Sequence, residues 1–307
     1  MKVLHNFNEI ENTHTGIGLG NFDGMHLGHM ALISSLVDYC KIKGLVSVIY
    51  TFENHPENIL SKEASVPMLI TNEKKAQILG TTNLDCIYFE NFDDDYSMMT
   101  PESFVEDILV NKFRARLVVV GFNYRFGYKG QGDTEILEKT GAQYGIKTIV
   151  IPPVTVDGNV ISSTLIRELV RKGHMENVMK YLGRNYSVRG KVCKGRKMGS
   201  TLGFPTANIS PDKNLIIPDN GVYLTNTILN GITLPSITNI GRNPTVVDSG
   251  YYGIETHILN YNEDIYNKDI EVCFIKKLRD EKKYINQEAL IIQVKNDIKK
   301  ALKLHSI

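Results

Sequence analysis

The 307-residue sequence predicts two domains of different class: an α/β domain with a parallel sheet, then a small antiparallel β-barrel with a closing helix. Three observations support this. The first half alternates β-rich and helical segments, which is typical of a parallel sheet covered by helices. The second half has short strand-like runs separated by turns. Its last segment has helical periodicity. We place the boundary between residues 183 and 184, so the domains are 1–183 and 184–307.

The α/β prediction depends on the order of elements in the first half. A short apolar run at 17–20 precedes a helical pattern at 27–43, and residues 45–52 are apolar and β-rich. Thr100 and Pro101 form a helix start, because threonine caps a helix and proline suits its first position. Ligands of such sheets bind at the carboxyl ends of the strands. The other predicted elements are helices at 71–79 and 134–144 and strands at 86–89, 117–121 and 147–151.

The barrel prediction depends on strand spacing and on one turn. Asn230 and Gly231 separate two β-rich runs, and this dipeptide favours a two-residue hairpin. A helix is expected at 287–304, with Ile291, Ile292, Val294, Ile298 and Leu302 on its buried side. The predicted strands are 186–193, 221–229, 232–240, 254–261 and 269–278.

Composition argues against two classes of partner. The formal net charge is +1, so the basic excess typical of nucleic-acid binders is missing. The sequence has no run of about 18 apolar residues, the length that a membrane-spanning helix needs. The N-terminal residues also lack the apolar core of a signal peptide. The four cysteines, Cys40, Cys86, Cys193 and Cys273, are widely separated and suit a reducing compartment. We therefore expect a cytoplasmic protein that binds neither nucleic acid nor membrane, as a monomer or weak homo-oligomer.

The strongest site signal is the segment 20–29, GNFDGMHLGH, between a short strand and a helix. The N–H groups and the dipole of a helix start favour an anion there, and Gly24 and Gly28 let the backbone come close to it. His26 and His29 are three residues apart, so both can donate hydrogen bonds to a phosphate. Two alternatives stay open on these residues alone, an ordinary helix cap and half of a zinc site.

The phosphate signal matches neither common glycine-rich loop. A dinucleotide-binding G-x-G-x-x-G starting at Gly18 would need glycine at position 23, where Asp23 stands. Gly190 and Gly195 have P-loop spacing, but Arg196 and Lys197 follow them. The expected phosphate site is therefore of another kind.

The string Phe-Asp-Gly-x-His-x-Gly-His resembles the signature of HxGH nucleotidyltransferases, most closely that of the bacterial bifunctional riboflavin kinase/FMN adenylyltransferases. Residues 161–167 (ISSTLIR) and 121–127 (GFNYRFG) resemble further segments of that family. The resemblance implies a Rossmann-like domain that transfers an adenylyl group from ATP to FMN, with His26, His29 and Arg167 as catalytic residues. The implied ATP-binding residues are Gly20, Phe22, Asp23, Gly24, His26, Gly28, His29, Asn123, Ser162, Ser163, Thr164 and Arg167.

The ordinary explanations of these two segments remain available. A Ser/Thr cap followed by a surface arginine accounts for 161–167 alone. A tight loop after a buried strand accounts for 121–127.

Residues 51–56 (TFENHP) lie where the family has its flavin loop. The resemblance implies that Asn54, His55 and Pro56 bind the flavin. Asn54 replaces a proline that is usual in the family, so we expect a less rigid loop and a weaker hold on FMN.

A second signature lies at 199–208, GSTLGFPTAN, and resembles that of riboflavin kinases. Backbone N–H groups of such a loop can approach phosphates, and Thr206 and Asn208 offer neutral oxygens of the kind Mg²⁺ accepts. A plain barrel loop before a strand is the alternative. The implied ATP and substrate residues are Gly199, Ser200, Gly203, Phe204, Pro205, Thr206, Asn208 and Arg279, with Thr206 and Asn208 holding Mg²⁺.

Glu255 and His257 form a Glu-x-His segment whose side chains point to one side of a strand. In the family this glutamate is the base that takes the proton from the ribityl 5′-hydroxyl. Without the neighbouring motifs, Glu255 would be explained as a solvent-facing strand residue. For Arg279, a solvated turn residue and a contact to substrate or nucleotide are equally good explanations.

The resemblance implies a two-step pathway in one chain, riboflavin to FMN and FMN to FAD, with ATP as co-substrate and Mg²⁺ as cofactor. FMN and FAD are then substrate and product rather than prosthetic groups. The alternatives are a kinase with an impaired N-terminal domain, a nucleotidyltransferase for another phosphorylated metabolite, and a non-catalytic flavin or nucleotide sensor.

Overall fold

A computed structural model describes residues 1–4, 13–60, 66–194, 203–242 and 252–306. The chain divides into two compact units, Met1–Ser163 and Thr164–Ile307. The boundary predicted at 183/184 stays a prediction about the functional domains.

The first unit contains, among its described residues, a six-stranded parallel sheet in the order β1-β4-β3-β2-β5-β6. Strand β2 pairs with β3 on one side and with β5 on the other. The strands that follow β2 are therefore added first on one side of it and then on the other. The strands are β1 (Lys2–Leu4), β2 (Thr15–Leu19), β3 (Val46–Phe52), β4 (Cys86–Glu90), β5 (Ala115–Gly121) and β6 (Lys147–Ile151). A hairpin of β7 (Thr155–Val156) and β8 (Asn159–Val160) follows.

Helices cover both faces of this sheet because β5 is apolar on both sides. Leu117 and Val119 pack with α1, whereas Val118 and Val120 pack with residues of the opposite helical layer. Thr100 caps α5 by accepting from the Ser103 N–H, as predicted. The helices are α1 (Leu27–Lys43), α2 (Pro56–Leu60), α3 (Asn72–Leu79), α4 (Asp94–Ser97), α5 (Pro101–Ser103, continued by a π-helical stretch Phe104–Lys112) and α6 (Thr134–Gln143).

The second unit begins on α7 (Ser163–Arg171), continues through α8 (Met175–Leu182), and forms a closed antiparallel barrel in the order β10-β13-β12-β11-β14-β9. Asn230 and Gly231 have φ of 50° and 81°, which confirms the predicted hairpin turn. The barrel strands are β9 (Tyr186–Cys193), β10 (Ala207–Pro211), β11 (Gly221–Leu229), β12 (Ile232–Arg242), β13 (Tyr252–Ile258) and β14 (Asp269–Arg279).

The closing helix is α9 (Gln287–Leu304), but its buried face differs in part from the prediction. Ala301 is buried, and Ile298 and Leu302 pack on the same apolar cluster. Ile292 is 62% exposed, so its assignment to the buried side was wrong. Buried Asp297 takes a place on this face, because it pairs with Arg279 of β14. Apolar periodicity could not reveal a buried ion pair.

Candidate active sites

The first candidate site lies at the carboxyl ends of β2 and β5, which are neighbours in the sheet. The loop after β2 contains Gly20 and leads to the start of α1, and the loop after β5 contains Asn123, which is exposed. Because β3 lies on the other side of β2, the connections after β2 and β5 lead to opposite sides of the sheet, and ligands of such sheets bind at this point. The topology therefore brings the predicted segments 20–29 and 121–127 to one edge.

The loop before α1 has a constrained backbone. Phe22, Gly24 and Met25 have φ of 49°, 81° and 44°. Phe22 and Met25 have no exposed surface, so burial of their side chains holds a backbone that L-residues rarely adopt. At Gly24 a Cβ would lie 2.7 Å from Leu69 Cδ1, so a side chain there meets both positive φ and a clash.

The two histidines of this loop are in direct contact. His26 is the N-cap of α1, and its Nδ1 accepts a hydrogen bond from the His29 N–H at 3.2 Å. The rings stack with centroids 3.6 Å apart and an interplanar angle of 16°. Since Nδ1 of His26 accepts, the proton of the neutral ring lies on Nε2. A Cβ at Gly28 would lie 3.1 Å from His26 Cε1, so glycine there leaves room for the ring.

The cap alternative for His26 is therefore correct, and it is compatible with a ligand at the helix start. Within the part of the chain that the structure describes, no three His, Cys, Asp or Glu side chains are grouped as metal ligands would be.

Asp23 is an anchor of this loop. Its carboxylate accepts hydrogen bonds from the backbone N–H groups of Leu69 at 2.9 Å and Ile70 at 3.4 Å. Its carbonyl accepts from the Ser163 hydroxyl at 2.9 Å. Ser163, the last residue of the first unit, is thus tied to the loop after β2. Direct binding of ATP by Asp23 stays a prediction.

The hydroxyl-rich start of α7 is partly accessible. Ser162 and Ser163 are half-buried, Thr164 is exposed, and Arg167 is 9% exposed. Arg167 follows Ser163 by four residues, so both lie on the same side of α7. A buried arginine does not suit the ordinary explanation of this segment, a cap followed by a surface arginine.

Lys75 lies beside the predicted flavin loop, and the sequence analysis did not single it out. It is 5% exposed on α3, and its ammonium group donates to the Asn21 carbonyl at 2.9 Å and to the Thr51 hydroxyl at 3.2 Å. It lines a narrow cavity of about 20 Å³ together with Asn54 and His55. Desolvation lowers its pKa to about 8, and the negative charge of Asp23 opposes this shift. A lysine in a polar-looking helix carries no sequence signal of burial.

The lowered pKa of Lys75 makes stability depend on pH. The unfolded chain binds the Lys75 proton up to about pH 10.5, whereas the folded chain releases it near pH 8. Between these values the unfolded state binds more protons, so stability rises with pH across this window. We expect urea midpoints at pH 7–10 to show this rise in the native chain and its loss in Lys75→Met. Exposed Lys139→Met on α6 is the control, and the same rise in both variants would contradict the assignment.

Asn54 clamps the predicted flavin loop. Its Nδ2 donates to the Phe92 carbonyl at 2.7 Å, and its Oδ1 accepts from the Phe92 N–H at 2.9 Å. Phe92 in turn packs edge-to-face on Phe52, with ring centroids 5.2 Å apart. These two hydrogen bonds therefore restrain the loop at Asn54, although the absence of the usual proline predicted a less rigid loop.

The second candidate site is a row of polar residues across three barrel strands. Asn208 of β10 lies directly opposite Glu255 of β13, and Glu255 lies opposite Asn239 of β12. All three are half-buried, and residues paired in this way point to the same side of a sheet with Cβ atoms about 5 Å apart. Thr206 precedes Asn208 by two residues, just before β10 begins at Ala207. The register thus brings two predicted site residues together, Asn208 and Glu255, close in sequence to a third, Thr206.

His257 supports the loop that carries Thr206. Its Nδ1 donates to the Pro205 carbonyl at 2.8 Å, since a carbonyl can only accept. Its ring also contacts Phe204 edge-to-face at 6.3 Å. A cavity of about 270 Å³ lies beside Pro205 and Thr206 and reaches residues 261–266. Gly203 has φ of 85° and is exposed. The predicted residues Gly199 and Ser200 lie outside the described residues.

Arg279 ties the barrel to its closing helix. Its Nε and Nη2 donate to Asp297 Oδ2 at 2.9 and 2.7 Å, and Gln293 donates to Asp297 Oδ1 at 2.8 Å. Its Nη1 donates to the Asp280 carbonyl at 3.0 Å. The guanidinium group of Arg279 is therefore hydrogen-bonded within the protein, so Arg279 is not a solvated turn residue. Binding of substrate by Arg279 stays a prediction.

Two protein-family models match different parts of the chain. Residues 8–165 match the family model described as FAD synthetase, and residues 182–305 match the one described as riboflavin kinase. A bifunctional riboflavin kinase/FMN adenylyltransferase of Buchnera aphidicola is 34% identical over 97% of this chain and 96% of its own length. The chain belongs to the bifunctional riboflavin kinase/FMN adenylyltransferase family.

Other relatives have the same organisation. The bifunctional riboflavin kinase/FMN adenylyltransferase of Listeria monocytogenes is 35% identical over 92% of this chain and 89% of its own. A solved structure described as a macrolide-efflux protein from Streptococcus pneumoniae covers 97% of both chains, with a TM-score of 0.88 and 26% identity. The fold of this family member is therefore shared along nearly its whole length.

In the described residues of this family member, every helix is too short or too polar to cross a membrane.

Proposed function

We propose that this chain makes FAD from riboflavin in two steps: ATP-dependent phosphorylation of riboflavin to FMN in the barrel, then adenylyl transfer from ATP to FMN in the α/β unit. The observation that carries the proposal is the presence of a FAD synthetase and a riboflavin kinase domain, in this order, in one chain. Its substrates are riboflavin, FMN and ATP.

Glu255 acts as the base of the kinase step. Its carboxylate takes the proton of the ribityl 5′-hydroxyl, the hydroxyl oxygen forms a bond to the γ-phosphorus of ATP, and the bond from that phosphorus to ADP breaks. Asn208 and Asn239 flank Glu255 on the neighbouring strands and orient it. His257 fixes Pro205, and with it the position of Thr206.

The donor set beside Glu255 fits Mg²⁺. Thr206, just before β10, and Asn208, opposite the Glu255 carboxylate, offer two neutral oxygens, and Mg²⁺ accepts such ligands together with phosphate oxygens and water. When bound, Mg²⁺ would offset negative charge on the phosphates. Thr206 and Asn208 would hold it. The base of ATP would occupy the 270 Å³ cavity, which Pro205 and Thr206 line.

In the adenylyltransferase step a phosphate oxygen of FMN attacks the α-phosphorus of ATP, and pyrophosphate leaves. The stacked His26 and His29 supply hydrogen-bond donors at the start of α1, and Arg167 supplies a guanidinium group for the phosphates. Ser162, Ser163, Thr164 and Asn123 complete the nucleotide contacts. No group of the protein becomes covalently attached, so rate enhancement comes from positioning and electrostatics.

The Asn54 clamp supports a working flavin site in the α/β unit. We expect Asn54→Pro, which restores the usual family residue but removes both hydrogen bonds to Phe92, to raise the KM for FMN about tenfold. The KM for riboflavin in the kinase assay of the same protein serves as the internal control. Asn54→Asp, which keeps only the acceptor, should give an intermediate KM. An improved KM in Asn54→Pro would mean that the proline restraint is the better one.

We also propose a reducing, cytoplasmic location and a monomer or weak homo-oligomer. The four cysteines, all among the described residues, form no disulfide, and Cys40 and Cys86 are buried. Cysteines without a disulfide framework suit a reducing compartment.

A product time course tests the two-step function. Purified protein is incubated with riboflavin, ATP and Mg²⁺, and the flavins are separated by chromatography. FMN should appear first and FAD should follow, and FMN supplied directly should be converted to FAD. Accumulation of FMN without FAD would leave a kinase only. No conversion of either flavin would overturn the proposal.

A further inference from the structure

Five hydroxyl side chains form a continuous hydrogen-bonded chain inside the barrel. In the order Thr227, Ser236, Thr225, Thr238 and Thr256, consecutive oxygen–oxygen distances are 2.9, 2.8, 2.8 and 2.9 Å. The first four side chains have no exposed surface, and Thr256 is 1% exposed. The chain crosses from β11 through β12 to β13, where Thr238 and Thr256 are cross-strand neighbours. We call these residues the hydroxyl chain.

In the hydroxyl chain, the donor at one end sets the direction in which every other hydroxyl donates its hydrogen. Each hydroxyl has a single hydrogen to donate, and Thr227 uses its own toward Ser236. Within the described residues, Thr225 is the remaining acceptor for the hydrogen of Ser236. The same reasoning directs Thr225 toward Thr238 and Thr238 toward Thr256. Because Thr227 is the donor at one end, reversing any later bond would place two hydroxyl hydrogens in one contact and leave the next contact with none.

The last member of the hydroxyl chain therefore keeps its own hydrogen. The Thr256 hydroxyl accepts from Thr238 and has no further hydrogen-bond partner among the described residues. Thr256 also lines the 270 Å³ cavity beside Thr206. The interior of the barrel thus presents a hydrogen-bond donor of fixed direction to this cavity.

The surroundings of Thr256 suit a flat heteroaromatic ring. The inward-facing neighbours that line the same cavity are apolar and buried: Val192, Ala207, Ile258 and Ile265. Glu263 and Asp264 lie at its exposed end. Two carboxylates repel a triphosphate, whereas apolar walls favour a nucleobase. The part of ATP that reaches Thr256 is then its base, which carries ring nitrogens as acceptors.

We propose that the Thr256 hydroxyl donates a hydrogen bond to a ring nitrogen of adenine and so positions ATP for the kinase step. This assignment rests on the proposed kinase function. The other members of the hydroxyl chain act through Thr256, because they fix the direction in which it donates.

The test compares ATP with three deaza analogues, in which N1, N3 or N7 of adenine is replaced by a C–H group, as substrates for riboflavin phosphorylation. We expect one analogue to have about tenfold higher KM than ATP with the native chain, as for loss of one hydrogen bond. In Thr256→Val the KM for ATP should rise about tenfold, and that analogue should no longer differ from ATP. Thr256→Ser should keep the discrimination, and exposed Thr233→Val on β12 is the matched control.

Two results would overturn the assignment: equal KM for ATP and all three analogues with the native chain, or undiminished discrimination in Thr256→Val. The first remains decisive if Thr256→Val does not fold. Conversion of FMN to FAD by each variant reports that the rest of the chain is intact. Failure of the kinase proposal is separate, since the native chain would then make no FMN from riboflavin with ATP itself.

Discussion

Replacing Glu255 with glutamine is expected to lower kcat for FMN formation by about 10²–10⁴-fold, the usual contribution of a general base. Glutamine has the same shape but cannot take a proton from the ribityl hydroxyl. It is polar and of the same size opposite Asn208 and Asn239, so the barrel should fold normally. Initial rates of riboflavin phosphorylation at saturating ATP measure the effect.

The same variant contains its own control. FMN conversion to FAD takes place in the other unit, so Glu255→Gln should perform it at the native rate. Asp269→Asn, which removes an exposed carboxylate of β14 in the same barrel, should leave both rates unchanged. If Glu255→Gln lost both activities while keeping its native melting temperature, the assignment of one reaction to each unit would be wrong.

The second large effect is expected at His29. Alanine there removes the ring stacked on His26 and one donor to the phosphates, and we expect kcat for FAD formation to fall about 10²–10³-fold. The effect should appear with FMN as substrate, whereas riboflavin phosphorylation stays at its native rate. His14→Ala is the matched control, because His14 is exposed and precedes β2 at the opposite edge of the sheet.

Mixing the two variants sharpens both tests. Glu255→Gln retains the adenylyltransferase and His29→Ala retains the kinase, so the mixture should convert riboflavin to FAD through released FMN. If each variant is inactive in one step as expected but the mixture makes no FAD, FMN does not pass through solution between the two units.

Local patterns were sufficient for most secondary structure. Helices α1 and α9 and strands β6, β9 and β11 have the predicted bounds, because periodicity, caps and turns are encoded by neighbouring residues. Strand β1 was not predicted, since three residues carry too little pattern and its pairing with β4 is a long-range contact. Strand β10 was missed because its start lies within the kinase signature and suggested a loop.

Some candidate site residues could be predicted from local motifs, whereas others depend on contacts between distant elements. Motif strings pointed to the histidine pair, to the segment with Thr206 and Asn208, and to Glu255 in its Glu-x-His segment, because each motif consists of residues close in sequence. The roles of Lys75 and Arg279 depend on partners from distant elements, Asn21 and Asp297. No local pattern marks a lysine or arginine as buried, since burial depends on which elements pack around it.

The sequence by itself determined the two-domain class, the order of most elements and the family. Only the tertiary structure decided the strand register that sets Asn208 opposite Glu255, the Asn54 clamp on Phe92 and the direction of the hydroxyl chain ending at Thr256. The physical reason is the distance along the chain over which each property acts. Propensity and motif are properties of adjacent residues, whereas hydrogen-bond direction, burial and cross-strand pairing exist only when distant segments meet.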